Sequence, residues 1–139
     1  MRISILILTM LGVLFNTVSE AARPVSEQRD LKEILQTVID AEQLSSYYHA
    51  DVLPDRIPLR LIKNAWVDED LQLIQFGRPV VILPGTDTSA PYLNISRVRI
   101  NGDSATVSFE YPPEGLVGTA TLSRQQGVWV LDAMVVHER

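Results

Sequence analysis

The sequence contains no cysteine and only two histidines, His49 and His137. A disulfide framework and a lipid-attachment cysteine are therefore excluded, and the soft ligands of a zinc site are too few. Glycine-rich phosphate loops and Gly-x-Ser-x-Gly elbows do not occur, and the acidic run Asp68–Asp70 lacks the spaced oxygens of a calcium loop. The sequence thus predicts no metal, no cofactor and no catalytic residue.

Basic side chains are also sparse, and they are scattered along the chain. Lysine and arginine total 12 against 17 aspartate and glutamate residues, which gives a net charge of −5. Binding to nucleic acid requires clustered lysine and arginine that neutralise phosphates. We therefore expect no nucleic-acid partner.

The first 21 residues have the pattern of a cleavable secretory signal. Arg2 precedes a charge-free run from Ile3 to Phe15, which as a helix would rise about 20 Å, short of the roughly 30 Å hydrocarbon core of a bilayer. Ser19 and Ala21 then place small residues at the −3 and −1 positions of a cleavage site. We expect residues 1–21 to be removed and the protein to be periplasmic or secreted, with no membrane attachment after cleavage. A buried N-terminal helix and an uncleaved anchor are the alternatives.

The remainder, residues 22–139, has the length of a single domain. Its first element is predicted to be one amphipathic helix that begins with Ser26 as N-cap and ends near Tyr48. Apolar residues recur there at helical spacing: Leu31, Ile34, Leu35, Val38 and Ile39. We expect this stripe to lie on an apolar surface.

Residues 51–77 give a weaker pattern. Pro54 and Pro58 exclude a continuous helix, and the stretch 57–61 favours a short strand, with a helical turn as the alternative. The β-branched run 80–83 precedes Pro-Gly and predicts a buried strand.

From residue 93 onward the pattern is that of an antiparallel meander. Strands are predicted over 93–100, 105–111, 116–123 and 128–137, with a turn signal at Asn101-Gly102-Asp103. The second of these strands alternates apolar and polar residues, so one of its faces is expected to contact water.

The last strand is apolar on both sides. Its pattern predicts one face with Val128, Val130, Met134 and Val136 and another with Trp129, Leu131, Ala133 and Val135. A strand of this kind is covered on both faces, and a second copy of the chain, a ligand or residues 52–77 would supply the second cover.

The segment VRINGDSATVSFEYPPEGLVGTATLSRQQGVWVLDAMVVHE, residues 98–138, resembles the terminal meander of the nuclear-transport-factor-2-like superfamily, the cystatin-like α+β roll. The likeness rests on Gly102-Asp103 with Ala105 and Val107, a glycine-containing third strand, and Gly127 before Trp129. The resemblance implies a cone-like roll: one long N-terminal helix on a curved antiparallel sheet of about five to six strands. It implies little about activity, because these motifs are structural.

Three residues are candidates for ligand binding. Asp132 interrupts an apolar line, and enzymes of the superfamily hold an acid or base inside the cone, where the pKa of a carboxyl is raised; a strand bulge or an exposed edge is the alternative. Tyr48 lies in a cluster of Tyr47, Tyr48, His49 and Asp51 that would bind a polar ligand or carry out acid–base chemistry; packing of Tyr48 at the mouth of the roll is the alternative. Trp66 would line a groove or pack in the core.

These observations predict an exported, non-catalytic binding or interaction module for a small apolar ligand or a protein partner. A small ketosteroid-isomerase-like or hydrolase-type enzyme with a pocket carboxylate is one alternative. A secreted inhibitor or immunity-type protein is the other. A homodimer formed through the sheet fits the two-sided last strand.

Overall fold

The computed structural model describes residues 23–139, and the predicted signal at 1–21 lies outside the described residues. The fold is α+β: one long helix packs on an antiparallel sheet of four strands, beside two smaller sheets of two strands each. The predicted class is confirmed, although the strands are divided among three sheets rather than joined in one. Within residues 23–139, no helix is long and apolar enough to cross a membrane.

Helix α1 spans Val25–Asp40 and buries the five-residue apolar stripe predicted for it. Pro24 precedes the first turn and has the N-cap position, because its fixed φ is compatible with a helix start and the amide hydrogen that it lacks would be unpaired there. Ser26 therefore lies inside the first turn, and the predicted N-cap at Ser26 is wrong.

The predicted continuation of this helix to Tyr48 is also wrong. Ala41 adopts an extended backbone with ψ 132°, and a separate short helix α2, Glu42–Ser45, follows. The break redirects the chain so that Leu44 and Tyr48 enter the core, where their exposed fractions are 0 % and 1 %. Burial of these two side chains therefore accompanies the end of α1.

The four-stranded meander is confirmed. Its strands are β5 Asn94–Asn101, β6 Ser104–Tyr111, β7 Leu116–Gln125 and β8 Val128–Glu138, and neighbours along the chain are neighbours in the sheet. Gly102 and Gly127 have positive φ in the two tightest turns, a conformation that costs glycine little. As predicted, β6 buries one face under the helix: Ala105, Val107, Phe109 and Tyr111.

A bulge changes the faces of β8. Thr121 pairs with Ala133, whereas Leu122 pairs with Leu131, so Asp132 is the extra residue in β8. The alternation shifts by one position there. Trp129 and Leu131 therefore lie on the same inner side as Met134 and Val136, while Val128, Val130 and Val135 lie outside, and the predicted grouping of these residues is wrong.

The segment before the meander forms short elements. They are β1 Arg60–Ile62, β2 Ile74–Gln75, β3 Arg78–Pro79 and β4 Val81–Leu83, with 3-10 turns at Pro54–Arg56, Glu69–Leu71 and Pro112–Glu114. Strand β1 pairs in parallel with β4, and it contacts the main sheet by a bridge between Leu61 and Leu93. The expectation of full burial for 80–83 is wrong, because β4 pairs on one side only and Val81 is 40 % exposed.

Candidate functional site on the outer sheet face

The outer face is the side of the four-stranded sheet that α1 does not cover. Its side chains alternate with the buried ones along each strand, and the strand register aligns them in four rows. These rows are Asn94, Glu110, Val117 and His137; Arg97, Ser108, Thr119 and Val135; Arg99, Thr106, Thr121 and Ala133; and Asn101, Ser104, Ser123 and Val130. The central side chains of the face are small, its cations Arg97 and Arg99 lie on β5, and its carboxylates are Glu110 on β6 and Asp132 on β8.

Valines expose a large apolar area along β8. The exposed fractions are 59 % for Val128, 38 % for Val130 and 55 % for Val135. A single exposed valine is ordinary, whereas these three lie on one face of one strand and form an apolar strip that Asp132 interrupts between Val130 and Val135; grouped exposed apolar side chains of this kind are found at interaction sites. The outer face therefore has a surface suited to a binding partner.

The two margins of the outer face carry opposite charge. Arg97 and Arg99 are exposed on β5, and neither makes an ion pair within residues 23–139. Asp132 is exposed on β8, where its Oδ1 accepts a hydrogen bond from the Ser123 hydroxyl at 2.8 Å. Strands β5 and β8 are three strand spacings apart, about 14 Å, so these charges lie too far apart to pair within one chain.

The predicted ligand residues are not brought together. Asp132 lies at the bulge on the outer face, Tyr48 lies in the core, and Trp66 is half-buried against the core. Trp66 lines a small depression of about 100 Å³ beside the N-terminal half of α1. A ligand role for these residues stays a prediction, and Asp132 alone belongs to the outer face.

Tyr48 has a clear packing role. Its hydroxyl donates to the Ile39 carbonyl at 2.9 Å, and its ring meets those of Phe76 and Tyr111 edge-on, with centroids 5.7 and 5.5 Å apart. Burial, together with the nearby Tyr111 and Asp40, raises the pKa of Tyr48 well above its ordinary value. The phenol therefore stays neutral and holds the α1–α2 corner against the sheet.

Arg56 forms a polar cluster that the sequence did not reveal. Its Nη1 donates to the Tyr111 hydroxyl at 3.2 Å and lies 3.1 Å from Glu114 Oε1, while His49 Nε2 is 3.8 Å from the same carboxylate. Burial acts to lower the pKa of Arg56, but bonding to Tyr111 and Glu114 raises it overall. Burial also raises the pKa of Tyr111. The cluster fastens the loop after α2 to the end of β6.

A second cluster fixes α1 on the sheet. Asp30 Oδ1 accepts from Trp129 Nε1 and from Arg124 Nη1, both at 3.1 Å, and the Arg124 guanidinium lies over the Trp129 ring, 5.0 Å from its centroid. Beside it an open groove of about 570 Å³ runs between α1 and Gly127–Trp129. Its charged lining is mixed, with Arg29 and Lys32 near one end and Asp40 near the other.

The interior of the described residues is apolar and aromatic. Within residues 23–139 no charged side chain is among the buried residues, and the largest fully buried side chains are Tyr48, Tyr111 and Phe109. No group of three or more acidic, histidine or cysteine side chains in this part of the chain is placed to hold a metal ion.

Comparison of the chain with protein-family models, with curated proteins and with solved structures finds no match. The resemblance of residues 98–138 to the nuclear-transport-factor-2-like superfamily accordingly stays a prediction.

Proposed function

We propose that this chain is an exported, non-catalytic protein-interaction module whose binding surface is the outer face of the β5–β8 sheet. The observation that carries the proposal is the strip of exposed valines on β8 beside rows of small hydroxyl side chains. A second sheet packs about 10 Å from such a face, and the small side chains at its centre leave room for that approach.

The physical gain from covering this face comes mainly from its apolar margin. Full burial of a valine stabilises by about 1.5–3 kcal/mol relative to full exposure, so three valines that are 38–59 % exposed offer a few kcal/mol together. The rows of serine and threonine contribute specificity, because each hydroxyl needs a new hydrogen-bond partner once binding removes its water. A small apolar ligand would fit this face less well, since such ligands are held in concave pockets.

The filled core supports an interaction role over an enzymatic one. An acid or base inside a cone needs a cavity and an ionisable side chain directed into it, whereas Phe109, Tyr111 and Tyr48 occupy the space between α1 and the sheet. Asp132, the carboxylate with the sequence pattern for that role, is exposed at the bulge.

Export and the roll shape belong to the proposal as well. The support for export to the periplasm or the extracellular space is the pattern of residues 1–21, together with a domain that contains no cysteine to oxidise there. The support for a curved roll is that bulges at Ser96 and Asp132 interrupt both outer strands of the sheet, and bulges bend strands. Mass spectrometry of the protein released by the producing cells should give an N-terminus at Ala22, and an intact Met1 would contradict export by cleavage.

Photo-crosslinking in the producing cells tests the binding face. Thr119→benzoylphenylalanine places the probe at the centre of the outer face. Thr88→benzoylphenylalanine in the polar loop before β5 is the matched control, since both positions are exposed threonines. We expect a defined crosslinked protein from position 119 and none from position 88. Absence of any crosslink at 119, or equal crosslinks at both positions, would overturn the proposed face.

A further inference from the structure

We infer that the partner of the outer face is a second copy of this chain, packed face to face about a twofold axis that runs along the strands. This inference rests on the proposed function, because it names the occupant of the same surface. It is carried by the register of the sheet and by the placement of the unpaired charges.

The register makes the face complementary to itself. A twofold axis along the strands leaves each row at its own height and exchanges the two margins, so β5 of one copy lies over β8 of the other. Arg99 and Ala133 share a row, and Asp132 is the residue next to Ala133. Arg99 of each copy therefore lies opposite Asp132 of its partner, which gives two ion pairs related by symmetry.

The distances fit this arrangement. Packed sheets are about 10 Å apart, and an extended arginine reaching about 7 Å from its Cα with an aspartate reaching about 3 Å spans that gap. The strips of valine would meet the aliphatic stems of the arginines, because Arg97 shares its row with Val135. Arginine stems commonly cover apolar surface in this way.

Other twofold arrangements are less favourable. An axis across the strands would place β5 over β5, so that Arg97 and Arg99 face the same arginines of the second copy. Pairing of the β8 edges would be interrupted at Asp132, where the bulge breaks the alternation. The long-range repulsion between two chains of net charge −5 is screened beyond about 8 Å at physiological ionic strength, whereas close pairs are screened much less.

The size of the outer face limits the affinity of the dimer. Four strands span about 14 Å, and eight residues of strand extend about 27 Å, so each copy offers an area of at most about 400 Å². Both copies together bury less than the roughly 1,200–2,000 Å² of a standard stable interface. We therefore expect a weak dimer, with a dissociation constant in the micromolar range or above.

A charge exchange tests the pairing. Protein expressed from the full-length sequence is purified with its N-terminus verified by mass spectrometry, and the dissociation constant is measured by sedimentation equilibrium from about 1 µM to 1 mM. Arg99→Asp and Asp132→Arg should each raise the dissociation constant at least about tenfold, since close charge pairs at interfaces couple by about 1.5 kcal/mol or more. The double variant Arg99→Asp/Asp132→Arg should return it to within about threefold of wild type.

The control is Arg78→Asp, an equal charge reversal at an exposed residue outside the outer face, which should leave dimerisation unchanged. Far-UV circular dichroism verifies that each variant is folded. A wild-type monomer at about 1 mM overturns the second copy as partner, and a double variant as weak as either single variant overturns the pairing of Arg99 with Asp132 and with it the face-to-face arrangement. If the wild type is a monomer, a crosslink from Thr119 to a different protein keeps the proposed function, whereas absence of any crosslink contradicts both the second copy and the proposed function.

Discussion

Gly118 is expected to be intolerant of even one added carbon, although its backbone conformation is open to any residue. It pairs directly with Phe109 across the β6–β7 ladder. A Cβ built on Gly118 would lie 2.3 Å from Phe109 Cζ and 2.6 Å from Cε2, far inside van der Waals contact. The ring thus covers the glycine, and the pair acts as a unit of sheet packing.

The cost of Gly118→Ala follows from what Phe109 can do in response. Its exposed fraction is 0 %, so the ring cannot swing into solvent and must displace its neighbours or leave its rotamer. Overpacking of a filled core costs about 1–3 kcal/mol. The clash involves two ring atoms below 3 Å, and we therefore expect the upper part of that range, about 2–3 kcal/mol of unfolding free energy.

Urea unfolding followed by the fluorescence of the two tryptophans, half-buried Trp66 and buried Trp129, measures this loss. Gly85→Ala is the matched control, because its Cβ would meet one atom, the Lys63 carbonyl oxygen at 3.3 Å, and it should cost less than about 1 kcal/mol. Phe109→Leu alone should cost about 1–2 kcal/mol through lost packing volume.

The double variant Gly118→Ala/Phe109→Leu decides the cause. Leucine does not extend to the position of Cζ, so the double variant should be at least about 1 kcal/mol more stable than the sum of the single losses predicts. Additive losses, or a Gly118→Ala variant within about 0.5 kcal/mol of wild type, would refute the steric explanation.

Three further outcomes are expected. Asp30→Ala leaves the buried indole N–H of Trp129 without its acceptor. It should lower the unfolding free energy by about 1–3 kcal/mol, measured from urea unfolding midpoints. The control Asp30→Asn keeps an acceptor and should lower it less. Glu114→Gln removes the carboxylate beside Arg56, whose side chain is 10 % exposed, and should cost about 1–3 kcal/mol in the same assay; no loss would show that the pair is unimportant. Because the pKa of Tyr48 is raised above its unfolded value of 10.0, the neutral phenol stabilises the fold fully below pH 10 and progressively less as the pH rises above 10. Unfolding midpoints between about pH 8 and 11.5 should therefore fall above about pH 10, and less steeply for Tyr48→Phe.

The meander could be predicted because its signals are local. Gly102 and Gly127 supply positive φ in the turns, and β6 alternates apolar and polar residues along a single strand. The apolar stripe of α1 is equally local, since it depends on spacing within one helix. Each of these features is determined by residues that are neighbours in the sequence.

The features that were missed depend on residues far apart in the sequence. Alanine is a good helix former, so nothing at Ala41 signals the break, which goes with the burial of Leu44 and Tyr48. The bulge at Asp132 was not missed: the sequence offers it as one explanation for a carboxylate in an apolar line, and the pairing of β8 with β7 confirms it.

The candidate site also depends on residues that are far apart in the sequence. Asp132 is conspicuous in the sequence because it interrupts an apolar line, but its relation to Arg99 appears only when the register of four strands is known. The polar cluster around Arg56 joins residues 55 positions apart in the sequence. Sequence spacing contains no signal for either arrangement.

The covered edge of β5 has a consequence for solubility. Leu93 exchanges main-chain hydrogen bonds with Arg60 and Ile62, and the Asn64 side-chain amide donates to the Ile95 carbonyl at 2.6 Å, so this edge is closed to incoming chains as far as Ile95. On the opposite edge of the sheet, which is strand β8, only six residues follow the bulge at Asp132. Open-ended stacking into fibrils needs long, regular edges on both sides, and this chain should therefore resist it even at the concentrations that self-association requires.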